Sequence, residues 1–313
     1  MDYDLRQLRY FVEIADAGSF SKASLQLGVA QSALSHHIGQ MEARLGVTLF
    51  SRSSKGVERT ESGDRFLNHA RSILAAVDAA TNDVRDDAKE PGGLVRFGAT
   101  LTVMPMLIEP LMASLSEVAS GVSLRVEERL SPHLVQAVAN GELDVAVCFN
   151  AGEDRRIDAI SIFEEDICLV GAPDLLGHKK EAISLEDALA FPLLLPGRDH
   201  ILRGMIDRGA LFRNRPIKVR HECLSLHALY AGLRLSLGAT LISKFSALPI
   251  IRTSDVLCRP IIDPVVTRQL FIVSSSERPK TTAQQTVVRM VQELIHESLA
   301  SGNLPGARAK LDS

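Results

Sequence analysis

The chain has 313 residues, 46% of them hydrophobic and 23% charged, with a formal net charge of −3. That length accommodates two or three units with cores of their own, and the near-neutral charge excludes a global basic field that holds a polyanion by attraction alone. The charged N-terminus does not read as a secretory leader and no apolar run reaches bilayer-spanning length, so a cytoplasmic protein is expected.

The first element is an amphipathic helix built on Leu5, Leu8, Val12 and Ala15. Ser19 to Leu49 then forms two short helices around a tight turn. In the first, Ser19 is the N-cap, Phe20, Ala23 and Leu27 face inward, and Gly28 ends the helix where a left-handed residue is wanted. In the second, Leu34, Ile38, Met41 and Leu45 alternate by four and three and make one buried stripe. Ser32, Ser35, His36 and Gly39 fall opposite, short or hydrogen-bonding groups that suit a helix lying in the major groove, and Gln31 offers a bidentate amide to adenine. Geometry favours His36 over His37 as the groove-facing histidine. The alternative for this stretch alone is a helical hairpin in any all-α domain. Two short segments, LFSRS and GVERT, follow around a Ser-Lys-Gly turn and suit a small β wing that presents Arg52, Lys55 and Arg59 to phosphates.

LRQLRYFVEIADAGSFSKAS, VAQSALSHHIGQMEARLGVTLFSR and TESG closely resemble, in order and without gaps, the winged helix-turn-helix domain of LysR-type transcriptional regulators. The resemblance implies base contacts from Gln31, Ser32, Ser35 and His36 and a backbone contact from Arg52. Ser32 and His36 stand where many members have proline and arginine, so the half-site is expected to differ from the family's commonest one. Arg6, Arg9, Lys22, Arg44, Arg52, Lys55 and Arg59 are set against Asp2, Asp4, Glu13, Asp16, Glu42 and Glu58, so affinity must come from a few placed contacts multiplied by oligomerisation.

Phe66, Ala70, Ile73, Val77, Ala80 and Val84 form a heptad seam, which predicts a helix from 62 to about 89, roughly 40 Å long, that pairs with its copy in a second subunit. Lys89, Glu90, Pro91, Gly92 and Gly93 read as a hinge. From Leu94 onward short apolar strands alternate with helices: LVRFGAT, SLRVEERL, DVAVCFN, DICLVGA, FPLLLPG, IKVRHECL, ATLISK and QLFIVSS. A closing helix runs from about 282 to 299, and the tail 302–313 is expected to be disordered. The fold class is therefore α/β, with an all-α winged helix-turn-helix domain (1–61), a linker helix (62–90) and a second domain (91–301). That second domain resembles the family's effector-binding domain, which is similar to periplasmic solute-binding proteins. Lobe I is then 94–164 with 266–301, lobe II is 165–265, and a small, anionic effector is expected in the cleft between them.

Thr100, Leu101, Thr102 and Val103 lead from a strand into a helix, a place where hydroxyls and amides converge on an anion, unless the threonines merely cap the helix. In the second lobe LLLPGRDHILR repeats that logic and resembles a pattern of members near the nitrogen-assimilation and sulfur-metabolism regulators. His200 is the ligand-sensing candidate there, with an exposed helix start as its alternative. Phe149, Leu224, Ser225 and Thr240 sit at further strand ends. Cys148, Cys168, Cys223 and Cys258 lie far apart without a CxxC pair and read as buried thiols rather than zinc ligands or a disulfide framework. The adjacent acids Glu127 and Glu128, and Glu164, Glu165 and Asp166, read as solvated strand ends. Neither a P-loop, a GxGxxG after a strand nor a GxSxG elbow occurs, so no enzyme, metal or cofactor is expected. The resemblance implies a homodimer or homotetramer on double-stranded promoter DNA, whose effector alters DNA bending and the contact with RNA polymerase. The competing reading is a cytoplasmic solute-binding or enzymatic domain with a helical oligomerisation module.

Overall fold

The computed structural model describes residues 3–53, 56–85, 91–178, 180–213 and 216–309. Its N-terminal domain consists of α1 (Leu5–Ala17), α2 (Phe20–Leu27), α3 (Gln31–Leu45) and a two-stranded antiparallel wing, β1 (Phe50–Ser53) and β2 (Gly56–Arg59). A 25-residue helix, α4 (Glu61–Arg85), follows. Asp4 starts α1 through a capping box, accepting from the Gln7 amide at 2.7 Å while the Gln7 side chain accepts from the Asp4 amide. Ser19 caps α2 as its sequence predicts, and Gly28, at φ 66°, ends it in the left-handed region. Leu8, Phe11, Ile14, Ala23, Leu34, Ile38, Met41 and Leu49 form the core, joined by Leu67 and Ala70 of α4.

That last contribution corrects the heptad reading. Ala70 is fully buried within its own chain and Phe66 stacks edge-on against Phe11 with centroids 5.0 Å apart, so the first half of the seam closes the N-terminal domain. Ile73 and Ala80 stay exposed and carry the part of the seam open to a second subunit; the Val84 side chain lies outside the described residues. The hinge shifts as well. Gly92 and Gly93 open the next strand, while 86–90, which include Lys89 and Glu90, lie outside the described residues.

The second domain runs β3 (Gly92–Ala99), α5 (Met104–Val118), β4 (Gly121–Glu128), α6 (Ser131–Ala139), β5 (Val145–Phe149), β6 (Ile157–Gly171), α7 (Pro173–Leu176), β7 (Ile183–Ser184), α8 (Leu185–Leu189), β8 (Leu193–Leu195), α9 (Ile201–Phe212), β9 (Val219–Glu222), α10 (Leu226–Arg234), β10 (Thr240–Ser243), α11 (Lys244–Thr253), β11 (Leu257–Ile262), β12 (Thr267–Ser275), α12 (Thr282–Ala300) and β13 (Ala307–Ala309). The strand order is β4-β3-β5-β12-β6-β11-β7, parallel among β4, β3 and β5 and antiparallel where β12 joins. β6 is long because it belongs to both lobes. Residues 157–166 pair with β12 and 167–171 pair with β10 and β11, so the chain crosses between lobes within one strand and returns from β11 to β12.

Each lobe buries its own apolar cluster: Phe97, Leu107, Leu111, Phe163, Ile272 and Val291 in the first, Leu169, Leu193, Leu194, Ile206, Leu233 and Ile250 in the second. The tail expectation fails for 302–309. Leu304 is buried in the lobe I core, β13 pairs with β6, and Arg308 forms ion pairs with Glu164 and Asp166. The solvated-acid expectation fails for Glu165, which has no solvent exposure.

Candidate functional site

On α3 the apolar stripe Leu34, Ile38 and Met41 is buried, which turns Gln31, Ser32, Ser35 and His36 outward, all four exposed. Ser21 of α2 donates to the Gln31 Oε1 at 3.1 Å, and Gln40 lies 3.0 Å from the His36 Nε2. α3 has no side-chain cap, so its first-turn amides are open to a phosphate. His37 points the other way, 3.5 Å from the Gln7 amide and against the Tyr10 ring. Glu42 fixes the wing to α3: its Oε1 accepts from the Leu49 and Phe50 amides at 2.7 and 3.1 Å. Arg59 does not reach out as a free phosphate ligand. Its guanidinium donates to Asp64 at 2.6 Å and to the Ala15 carbonyl at 3.1 Å, anchoring the wing to α1 and α4. Lys55 and the Arg52 side chain lie outside the described residues.

Between the lobes lies a cleft open to solvent. The N-terminal ends of α5, α6, α9 and α10 converge on it, each contributing a positive dipole end. Of the residues singled out from sequence, Thr100, Leu101, Thr102, Phe149, His200, Leu224 and Ser225 line it. Val103 and Thr240 do not. Val103 is the α5 N-cap residue, packed in the lobe I core, and Thr240 is fully buried with its hydroxyl donating to the Leu194 carbonyl at 2.7 Å. Neither threonine at the start of α5 caps it by its side chain, and the Thr100 Oγ1 is buried with no hydrogen-bond partner.

His200 is both the N-cap of α9 and a wall of the cleft. Its Nδ1 accepts from the Leu202 amide at 3.1 Å, which leaves the proton on Nε2 in the neutral ring. Burial, reinforced by the Arg268 charge, holds its pKa down to about 4, so the ring is neutral near pH 7.

Sequence reasoning missed Arg129, Ser131, Ser246 and Arg268, which also line it. Arg268 is 5% exposed and donates from Nε to Glu165 at 2.6 Å and from Nη2 to the Ser246 hydroxyl at 2.9 Å; its guanidinium lies 3.6 Å from the Phe149 centroid. Arg129 is held by Glu127 at 2.5 Å and Glu142 at 3.0 Å. The partner of Arg268 lies 103 positions away and one of the two partners of Arg129 lies 13 away, so neither pairing is a local pattern; an Arg on an otherwise apolar strand, as in TRQLFIV, is the available signal.

The four cysteines are free. Cys148 and Cys168 are buried, whereas Cys223 and Cys258 are only partly so, and Cys223 lines the cleft. Burial pushes the Cys148 thiol up to about 12 and raises that of Cys223. Among the described residues no helix is long and apolar enough to cross a membrane.

Residues 5–64 match the family described as "Bacterial regulatory helix-turn-helix protein, lysR family", and residues 88–295 match "LysR substrate binding domain". Similar proteins include the HTH-type transcriptional regulator BbuR of Bordetella bronchiseptica, 26% identical over 98% of this chain and 94% of that one. A probable hydrogen peroxide-inducible genes activator of Mycobacterium avium is 31% identical over 92% and 93%. The nitrogen assimilation regulatory protein nac of Klebsiella aerogenes is 26% identical over 93% and 95%. Among solved structures, full-length OxyR C199D from Pseudomonas aeruginosa superposes with a TM-score of 0.79 at 23% identity, covering 100% of this chain and 99% of that one. Full-length CbnR complexed with its target DNA gives 0.60 at 20% identity, covering 95% and 100%. With the two family segments falling on the two domains just described, the chain belongs to the LysR-type transcriptional regulators.

Proposed function

We propose that this regulator binds promoter DNA as a homo-oligomer through the α3 face and the wing, and that a small molecule held between the lobes adjusts that binding. The observation that carries the DNA reading is the division of α3: Leu34, Ile38 and Met41 are committed to the core while Gln31, Ser32, Ser35 and His36 stand exposed at an uncapped helix start. Two copies of α3, held apart by the partner helices, reach successive major grooves of a pseudo-palindromic site. The exposed Ile73 and Ala80 on α4 supply an apolar edge for the second copy. The effector reading rests on the cleft, where four helix starts converge and Thr100 in the wall has a buried hydroxyl without a partner. A ligand that fits one lobe arrangement better shifts the geometry of the subunits, and with it DNA bending and the contact with RNA polymerase.

The test is selection of a preferred site from random duplexes by the full chain, followed by affinity measurements on that site and on scrambled DNA. A good bidentate base contact discriminates by about 1–3 kcal/mol, so Gln31→Ala lowers the preference by roughly 5- to 150-fold while salt-sensitive binding to scrambled DNA persists. Equal loss on both duplexes refutes base reading by Gln31.

A further inference from the structure

We propose that the inter-lobe cleft takes a small monocarboxylate with an apolar body and rejects polyanions, an assignment that rests on reading the cleft as the effector site. The polar end of the cleft is rich in donors. Thr100 is 8% exposed and its buried Oγ1 has no partner, α5 and α6 carry no side-chain caps, and the neutral His200 keeps its ring proton on Nε2. An acceptor-only group such as a carboxylate satisfies such a set.

The charge balance limits the ligand to one negative charge. Both cations in the wall already have carboxylate partners: Arg268 has Glu165, and Arg129 has Glu127 and Glu142. A second negative charge on the ligand finds no uncommitted cation there and retains its desolvation cost. Apart from the hydroxyls of Thr102, Ser131, Ser225 and Ser246, the rest of the lining is mostly apolar, including Leu101, Leu130, Phe149, Ile201, Leu224 and Ile242, which fits a hydrocarbon body rather than a sugar or a peptide.

Thermal-shift and calorimetric titrations of the full chain with aliphatic and aromatic monocarboxylates from butyrate to naphthoate test this, with benzamide, succinate, citrate and inorganic phosphate as comparators. At least one monocarboxylate is expected to bind saturably, about tenfold or more tighter than any comparator, and Thr100→Val is expected to weaken it by about tenfold or more, the value of one hydrogen bond to a charged group. Tighter binding of citrate, succinate or phosphate, lost in Thr100→Val, overturns the ligand class while leaving the cleft as the site. Monocarboxylate binding that neither Thr100→Val nor Ser131→Ala alters overturns the cleft itself. Absence of saturable binding by the whole monocarboxylate series at millimolar concentration also overturns the proposal.

A chain of ion pairs runs from this cleft to the DNA-binding domain. Arg129 lines the cleft and also a second, charged cavity between the two domains, with Asp16, Arg71, Glu127 and Glu142. Arg129 Nη1 lies 3.0 Å from Glu142 Oε2, Glu142 Oε1 lies 3.2 Å from Arg71 Nη1, and Arg71 pairs in turn with Asp16 of α1. The Arg71 side chain is 9% exposed, yet its Nη1 makes no well-directed hydrogen bond, so the contact with Glu142 is ionic and loosely oriented. Glu142 is therefore shared between a cleft arginine and a linker-helix arginine. We infer that Glu142 relays cleft occupancy to α4 and α1: the single carboxylate at the starts of α5 and α6 competes with Glu142 for Arg129, so that Glu142 closes on Arg71, and Arg268, held by Glu165, leaves no further cation for a second charge.

Arg129→Gln imitates that withdrawal without any ligand. Hydrogen exchange of the full chain is expected to show protection in α1 and the first half of α4 rising about fivefold or more, the lower end of ordinary allosteric coupling. The rise should vanish when Glu142→Gln is added, and Arg129→Lys, which keeps the charge, should leave exchange at the parent level. Unchanged exchange in α1 and α4, or a change that persists with Glu142→Gln, overturns the relay.

Discussion

Replacing Glu165 by leucine should destabilise the second domain far more than its removal from an ordinary surface would. Glu165 has no exposure, its partner Arg268 has 5%, and the two are directly opposite in the β6–β12 register, where the chain crosses between lobes. Their 2.6 Å contact places opposite charges about 4 Å apart, worth about 4 kcal/mol at an effective dielectric constant of ~20. Breaking a buried pair from one side costs about 3–5 kcal/mol because it strands the other charge. For a domain of this size that corresponds to a fall in melting temperature of roughly 6–20 °C. Arg268→Met should cost a similar amount from the other side. The double variant Glu165→Leu/Arg268→Met should return to within about 1 kcal/mol of the parent or exceed it, since apolar replacement of a whole buried pair is often neutral or stabilising. Urea unfolding of the four proteins, followed through the transition of the second domain, gives the cycle. Single variants that lose less than about 1 kcal/mol, or a double variant as unstable as the sum of the singles, refute the reasoning.

His200 sets a pH dependence. Its folded pKa of about 4 lies below the ordinary value of 6.5, so between those values the unfolded chain binds more protons and stability falls as pH drops from 6.5 towards 4. The full loss, reached near pH 4, is on the order of 3 kcal/mol, and urea melts at pH 7 and pH 4.5 should show His200→Gln losing correspondingly less; identical losses refute the assignment. A methyl group at Gly63 overlaps the Leu49 carbonyl oxygen, so Gly63→Ala must displace α4 from the wing. A loss of about 1–3 kcal/mol or more is expected in the melting of the N-terminal domain, and a melt like the parent's counts against so close an approach of the α4 backbone to the Leu49 carbonyl. Glu42→Ala strands the amides of Leu49 and Phe50 and should cost about 1–3 kcal/mol, read in the same melts together with a loss of affinity for DNA of any sequence.

The N-terminal helices were legible because local rules fix them. Ser19 and Gly28 bracket α2, and a stripe with period near 3.6 places Leu34, Ile38 and Met41 inward whatever follows. The linker seam was half legible: its period is real, but period alone does not say which surface covers it, and Phe66 and Ala70 found Phe11 and its neighbours within the same chain. Eight short apolar runs marked strands, while β7, β11, β13 and the first half of β6 escaped because their residues alternate weakly or carry acids and arginines. The tail escaped for a similar reason. Gly302, Asn303, Pro305 and Gly306 look like a free end until Leu304 and Arg308 meet their partners on lobe I.

In the cleft, the residues beginning helices after strands were visible in the sequence, since a strand, a turn and a helix start follow one another along the chain. Thr100, His200 and Ser225 are of that kind. Arg129 and Arg268 are not: Arg129 is held by Glu127 and by Glu142, 13 positions away, and Arg268 by Glu165, 103 positions away. The sequence by itself thus determined the α3 face, because capping and periodicity act over a few residues, and it carried the family and the order of the lobes through the resemblance of whole segments. Only the tertiary structure decided that both cleft arginines are already neutralised, that Val103 and Thr240 belong to cores, and that Arg71 joins the two domains, because pairing of charges and burial depend on what distant segments bring alongside.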